Sequence, residues 1–404
     1  MKNKFIERAI DLEAKRQNNG IELIASENYV SKDIRKAAGS ILTDKYAEGY
    51  PGKRYYGGCE FIDEIEQYAI DRACQLFKCC FANVQPHSGS QANAAAYRAL
   101  MPNGGKVLTM CLNDGGHLSH GAPVSFSSHQ YEFKFFPLGA NGRLDYNIIE
   151  EFAEKEHPDV ILTGYSAYPY VIDFVEFRRI ANKVGAKLMV DMAHIAGLIA
   201  AGLYPSPVGI ADIITSTTQK TLRGPRGGLI LTDDPDLAAA VDKAVFPYYQ
   251  GGPLEHIVAA KAICFDEALK PSFSDYIGDV LTNTRAAATA FHKLGAEVSG
   301  TETHLFLLNT LKSYGLTGRQ AQQKLETLGI TTNKNMLPQD TLKPNETSGL
   351  RIGFAAATTR GCSIGQARNI ASLIDKILKG KLEDDKAKRL IKGITKSWKD
   401  ITKI

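Results

Sequence analysis

The sequence predicts an α/β protein: a large domain with a mostly parallel sheet covered by helices, then a smaller α+β domain. Three observations predict it. From about residue 82, short apolar runs alternate with segments of helical spacing, the order expected of parallel strands joined by covering helices. A Lys270-Pro271 step breaks a long helical segment, and the pattern changes after it. The chain has 404 residues, more than one hydrophobic core usually organises. The boundary is therefore expected at 271/272, with a large domain over 1–271 and a small one over 272–404.

Taken in order, Phe5 to Gln17 has helical spacing through Phe5, Ile6, Ala9, Ile10 and Leu12. A second helical segment comes after Asn28. Tyr46 to Cys59 is rich in glycine and tyrosine and has no period, which reads as a functional loop rather than a linker. Phe61 to Phe77 returns to a helical pattern. The runs 106–111, 159–164, 187–191, 212–216 and 228–232 read as buried strands, with helical segments such as 146–155 and 174–184 between some of them. Ile257 to Leu269 is a long helix. Beyond the break, 303–309 and 350–354 are strand-like. The basic tail from Leu382 spaces Leu390, Ile391, Ile394, Trp398 and Ile401 at helical intervals, which predicts one face packed on the domain.

Composition narrows the class. Lys plus Arg is 48 against 44 for Asp plus Glu, a net charge of +4, so there is no electrostatic footprint for nucleic acid. Hydrophobic residues at 44% and charged residues at 23% exclude a disordered or collagen-like chain. Met1 to Arg16 lacks the apolar core of a signal peptide, and the apolar stretch from Leu188 to Leu203 is interrupted by Asp191 and His194, so no membrane association is expected. The seven cysteines, at 59, 74, 79, 80, 111, 264 and 362, form no CxxC pair. Reduced thiols in a cytoplasmic protein, with no metal site, are the expectation.

Ligands of open parallel sheets bind beyond the carboxyl ends of the strands. Polar segments sit at those ends: Asn113 to Gly121 with His117, Tyr165 to Pro169 with Ser166, Asp191 to His194, and Thr217 to Thr221 with Gln219 and Lys220. Singly, such residues often only cap loops; four consecutive strand ends of this kind read as a site. Gln85 to Ala96 places Ser88-Gly89-Ser90 before an alanine-rich helix, which suits a phosphate at a helix N-terminus, although a serine there also serves as a simple cap. No Walker lysine pattern or GxGxxG fingerprint is present. A phosphate cradle, a strand-end carboxylate at Asp191 and a lysine at Lys220 in a glycine-rich surround make up the protein's share of pyridoxal phosphate chemistry. The lysine forms a Schiff base, the carboxylate keeps the pyridine nitrogen protonated, and His117 is available to the ring face.

The strings LIASENYVS, YAEGYPGKRYYGGCE, VQPHSGSQAN, VDMAHIAGL, KTLRGPRGG, QGGPLEH, NKN and SGLRIG resemble serine hydroxymethyltransferase, with few breaks from about residue 20 to 361. The resemblance implies fold type I of the pyridoxal phosphate enzymes and interconversion of serine and glycine with tetrahydrofolate. It also implies a homodimer or pair of dimers whose sites are built from both chains. Carried over by position, it makes Lys220 the residue that holds the cofactor covalently and Asp191 the partner of the pyridine nitrogen. His117 becomes the stacking histidine, and Ser166 and His194 cofactor contacts. Ser88, Gly89 and Ser90 become phosphate binders, joined by Tyr46 and Gly252 of the neighbouring subunit. Arg351, aided by Ser26, would take the substrate carboxylate, and Glu48 with Tyr56 the substrate hydroxyl and transferred carbon. Tyr55, Leu112, Gly116, Leu118 and Asn335 would contact folate.

The sequence departs from the family pattern at three places. Gln219 stands where histidine is usual, Tyr248 follows Phe246-Pro247 where glycine is usual, and Phe354-Ala355 replace a small hydroxyl residue and proline. Glutamine keeps a hydrogen-bond donor but does not titrate, so Gln219 is marked as a specificity position. A folate-independent aldolase or transaldolase acting on β-hydroxy amino acids is the alternative on the same scaffold. A non-catalytic binding paralog is opposed by the intact Lys220, Asp191, Glu48 and Arg351. From the residues alone, Tyr46 and Tyr50 are expected to flank Glu48 and keep its carboxyl partly protonated.

Overall fold

The apolar runs between residues 106 and 232 are strands of one seven-stranded sheet in the computed structural model, which describes residues 3–404. Across the sheet the strands are Phe81–Asn83, Gly228–Thr232, Ile213–Thr217, Lys187–Asp191, Val160–Thr163, Lys106–Met110 and Glu132–Phe136. The last five pair in parallel, so their carboxyl ends share one edge. Gly228–Thr232 runs antiparallel to both of its neighbours. The ten residues between it and Thr217 are too few for the crossover a parallel strand needs. Neither edge strand was expected from the sequence. Phe81–Asn83 has three residues, and Glu132–Phe136 is half-exposed, so neither shows the continuous apolar run of a buried strand.

Helix starts are set by side-chain caps. Asp145 accepts from the Asn147 and Ile148 amides, Asp173 from Val175 and Glu176, and Ser88 from Gln91. The helix Gly89–Leu100 lays Ala92, Ala95, Ala96 and Tyr97 on Val107, Val160, Leu162, Met189, Ile213 and Ile230 of the sheet. Its small side chains allow the helix axis to approach the strand ends closely.

Two compact units result: Asp33–Ser274, which holds this sheet, and residues up to Lys32 together with Asp275–Ile404. The sequence boundary at 271/272 lies close to the second junction but leaves the first 32 residues with the large domain. Those residues are tied to the C-terminal part instead: Ile21 and Glu22 pair in parallel with Ile330 and Thr331. The buried Arg360 guanidinium donates to the carbonyls of Gln17, Asn18 and Gly20 at 2.9, 2.7 and 3.0 Å. Such distant pairing has no local signature. Lys270-Pro271 does end one helix, Glu255–Ala268, but Pro271 also opens the 23-residue helix Pro271–Lys293, a position where its missing N–H costs nothing.

The smaller unit has a three-stranded antiparallel sheet with Gly349–Gly353 between Leu305–Asn309 and Asn333–Asn335. Ile21, Leu23, Phe291, Phe306, Leu308, Ile352 and Ile374 are in its core. The tail forms the helix Asp384–Thr395 and buries Ile391, Trp398 and Ile401, with Trp398 under the Arg360 guanidinium at 5.0 Å. Leu390, expected on that face, is 45% exposed. Among the described residues no helix is long and apolar enough to cross a membrane.

Candidate active site

Asp191 ends its strand with its carboxylate held from several sides. Oδ2 accepts from His120 Nε2 at 3.1 Å and Asn93 Nδ2 at 2.9 Å, and Oδ1 accepts from the Ala193 amide at 3.0 Å. Burial alone would raise its pKa. The hydrogen bond from His120 and the positive groups at His117 and Lys220 outweigh burial and hold the carboxyl below the usual range. Asn93 is itself pinned: it accepts from Thr215 Oγ1 at 2.6 Å and donates to Ser119 Oγ at 2.9 Å. His117 Nδ1 accepts from the Ser119 amide at 3.2 Å and lies 2.7 Å from Ser119 Oγ, and its ring stands edge-on to His120 at 5.6 Å. Gly164 lets the neighbouring strand end approach. Its φ is +98°, and a Cβ there would lie 1.9 Å from the Asp191 carbonyl oxygen. The turn after it carries Ser166, whose amide donates to the Gly115 carbonyl at 2.8 Å.

Lys220 is buried in a loop clamped at both ends. Thr218 Oγ1 donates to the Pro225 carbonyl at 2.5 Å, and the Gly227 amide donates to Gln219 Oε1 at 3.3 Å. Thr221 Oγ1 donates to the carbonyl of buried His194 at 2.9 Å and accepts from the Gly197 amide at 3.0 Å. Beside this loop lies the Ser88-Gly89-Ser90 turn. A Cβ on Gly89 would meet Thr217 Cγ2 at 2.5 Å, and one on Gly228 would meet the Ser88 carbonyl at 2.4 Å. Thr217 Oγ1 and His87 Nε2 are buried without a hydrogen-bond partner. Orphaned polar atoms next to a helix N-terminus, a tight glycine cradle, an ionised carboxylate and a buried lysine fit pyridoxal phosphate in both its anionic and its cationic parts.

A second cluster in the same unit holds the tyrosine-rich loop. Tyr46 stacks against Gly252, where a Cβ would lie 3.1 Å from the ring, and its ring is 5.1 Å from that of Tyr56. Glu48 Oε1 lies 3.1 Å from the Cβ position of Gly251. Arg54 donates to the carbonyls of Ala47 and Gly49, on either side of Glu48, at 2.9 and 3.0 Å. Its other nitrogens pair with Asp63 at 2.8 Å and Glu66 at 2.5 Å. Tyr50 does not flank Glu48 as expected: its hydroxyl donates to the Asp242 carbonyl at 2.7 Å. Tyr46, Tyr55, Tyr56, Leu112 and Leu118 are all exposed, and Tyr55 leans on Phe246 at 5.6 Å. Gly116 packs so tightly that a Cβ would lie 2.7 Å from the Met110 carbonyl.

In the smaller unit, Arg351 is buried on the central strand. Its Nε donates to Asn333 Oδ1 at 3.3 Å and its NH2 to Ser26 Oγ at 3.4 Å. Burial pushes the guanidinium down to about 10. Asn335 is half-buried on the adjacent strand and donates to the Met336 carbonyl at 2.5 Å. Of the departures, Tyr248 lies under the Arg98 guanidinium at 4.9 Å and Phe354 fills the core.

Sequence reasoning missed His120, Asn93 and Thr215 around Asp191, and Arg54 behind Glu48. His120, Asn93 and Arg54 lie within stretches already singled out. What was missing was the pairing, which spans 98 residues from Asn93 to Asp191 and 122 from Asn93 to Thr215.

A family model described as serine hydroxymethyltransferase matches residues 1–374. The serine hydroxymethyltransferase of Mycoplasmopsis synoviae (strain 53) is 52% identical over 400 residues, 96% of this chain and 94% of its own. That of Mycoplasma mobile is 52% identical over 380 residues, covering 94% and 91%. That of Leuconostoc citreum (strain KM20) is 55% identical over 370 residues, covering 91% and 90%.

Proposed function

The chain belongs to the serine hydroxymethyltransferase family, and from that membership we propose that it interconverts L-serine and glycine, with tetrahydrofolate receiving and returning the one-carbon unit. The observation that carries this reading is the enclosed, ionised Asp191, fixed by His120 and Asn93 beside the Lys220 loop and the Ser88–Ser90 turn. An apolar core has no use for a carboxylate so fully hydrogen-bonded; a cationic ring nitrogen does.

Pyridoxal phosphate, when bound, supplies an electron sink for the bonds at the substrate α-carbon. The chain's residues do the rest. Lys220 holds the cofactor through its Nζ, and Asp191 keeps a proton on the pyridine nitrogen. Ser88, Gly89 and Ser90 hold the phosphate, His117 covers a ring face, and Ser166, His194 and Gln219 complete the surround. Arg351 with Ser26 binds the serine carboxylate and so orients the Cα bonds. Glu48, with Tyr56, moves the proton of the serine hydroxyl oxygen. Arg54 fixes the backbone on both sides of that carboxylate. Tyr55, Leu112, Gly116, Leu118 and Asn335 take tetrahydrofolate.

The assembly is read as a homodimer or a pair of dimers, with Tyr46 and Gly252 serving the neighbouring subunit's phosphate site. Their mutual contact, with Tyr46 55% exposed, supports a joint surface offered outward. The seven free cysteines support a cytoplasmic setting. Serine turnover measured with and without tetrahydrofolate tests the reading. Glycine formation that requires folate is expected. Equal cleavage of β-hydroxy amino acids without it would transfer the assignment to the aldolase class.

A further inference from the structure

Lys261 is 1% exposed on the helix Glu255–Ala268, and the mechanism above makes no use of it. Its Nζ donates to the carbonyls of Val84 at 2.6 Å, Pro86 at 3.0 Å and Gly228 at 2.8 Å. An ammonium has three N–H donors and no acceptor, so all three are spent on backbone oxygens. A neutral amine would turn a lone pair on one carbonyl, so this geometry calls for the charged form. Burying an ammonium is expensive, and here no carboxylate hydrogen bond compensates it; backbone dipoles do. Burial pulls its pKa down to about 7, with the nearby Glu66 acting against that.

The three carbonyls are not arbitrary. Val84 and Pro86 lie on the segment that leads into the Ser88-Gly89-Ser90 turn, and Gly228 begins the strand packed against that turn. The Gly228 amide also donates to the Pro86 carbonyl at 2.8 Å. A Cβ on Gly227 would sit 2.3 Å from Lys261 Cε, so glycine is what admits the side chain there. Resting on the assignment of that turn to the cofactor phosphate, we propose that Lys261 is a positioning residue for the phosphate cradle, its ammonium holding the turn against the Gly227–Gly228 backbone from behind. Asp191 takes its hydrogen bonds from His120, Asn93 and Ala193, none of them gripped by Lys261. Of these only Asn93 shares the helix that the turn opens, and its side chain is also pinned by Thr215 and Ser119, so the ring end has anchors of its own.

The test compares pyridoxal phosphate with pyridoxal, which lacks the phosphate, as ligands of the apo full-length protein and of Lys261→Met. Loss of one charged anchor is expected to weaken pyridoxal phosphate about 10- to 100-fold while pyridoxal stays within about threefold. Lys261→Gln, which keeps an NH2 group, should fall between. Equal losses for both ligands, or no loss for either, would overturn the proposal. So would failure of both variants to fold, which would make the lysine's role purely structural. If the unsubstituted protein takes up neither ligand, the functional reading itself fails, an outcome seen before any variant is made.

Discussion

Gly89→Ala, paired with Thr217→Ser, tests the close approach of the cradle to the sheet. A Cβ on Gly89 would lie 2.5 Å from Thr217 Cγ2, and the next contact, Thr217 Cβ at 3.9 Å, is ordinary. The clash is thus with one methyl group and amounts to an overlap of about 1 Å, measured against the ordinary carbon–carbon separation. Relieving it by moving the helix start costs about 1–3 kcal/mol, the usual range for inserting a methyl into a packed site. Alanine's helix preference returns less than about 1 kcal/mol at this first position. A displacement of about 1 Å is also enough to weaken a positioned contact by as much as 100-fold, so pyridoxal phosphate should bind roughly 10- to 100-fold more weakly. Thr217→Ser deletes the offending methyl and keeps the buried hydroxyl, which has no hydrogen-bond partner in the fold. In the Gly89→Ala background it should restore most of the loss, a coupling of about 1–3 kcal/mol in a double-mutant cycle. The assays are thermal unfolding of the apo forms and titration of pyridoxal phosphate followed by absorbance. Gly89→Ala binding within about twofold of the parent, or additivity of the two changes, would show that the close approach does not matter.

Lys220→Ala is expected to abolish serine turnover and the visible absorbance of the lysine-held cofactor, and mixed dimers with Tyr46→Ala chains should regain one intact site of two; full activity in a demonstrably monomeric sample would contradict the shared-site reading. Glu255 is buried with neither carboxylate oxygen hydrogen-bonded; burial first, then the charge of Glu66, pushes its pKa up to about 8 despite Arg54. A raised carboxyl favours folding below its unfolded value, and that stability is lost as pH rises to about 8. Glu255→Gln should therefore melt higher than the parent at about pH 8.5, with the advantage shrinking towards about pH 5.5; an advantage that does not vary with pH would rule this out. Gln219→His should leave cofactor binding intact yet change the ratio of serine to other β-hydroxy amino acid cleavage. The Gly227 amide loses its acceptor, a change of about 1–3 kcal/mol or roughly 5- to 150-fold. Identical ratios from about pH 6 to 9 would make the glutamine neutral.

Features that depend on neighbours along the chain were legible in the residues alone. Buried strands such as Val160–Thr163 and Lys187–Asp191 are apolar wherever they fold, because both faces are covered, so their runs are visible without coordinates. Ser88 caps its helix through the amide three residues on, and Pro271 marks a helix boundary by its own ring. The long motifs around Glu48, Asp191, Lys220 and Arg351 carried the family for the same reason: each is a contiguous stretch. Packing settled whatever depends on residues far apart. The half-exposed edge strand Glu132–Phe136 exists only because Lys106–Met110 lies beside it. Residues 3–32 join the C-terminal unit because Ile21 meets Ile330 and Arg360 reaches the carbonyls of Gln17, Asn18 and Gly20. Tyr50 turns to Asp242 rather than to Glu48, and Lys261 finds three carbonyls from two separate segments. A buried charge must be satisfied by whatever polar groups the packed chain brings to it, and which groups those are is fixed only when the chain has folded.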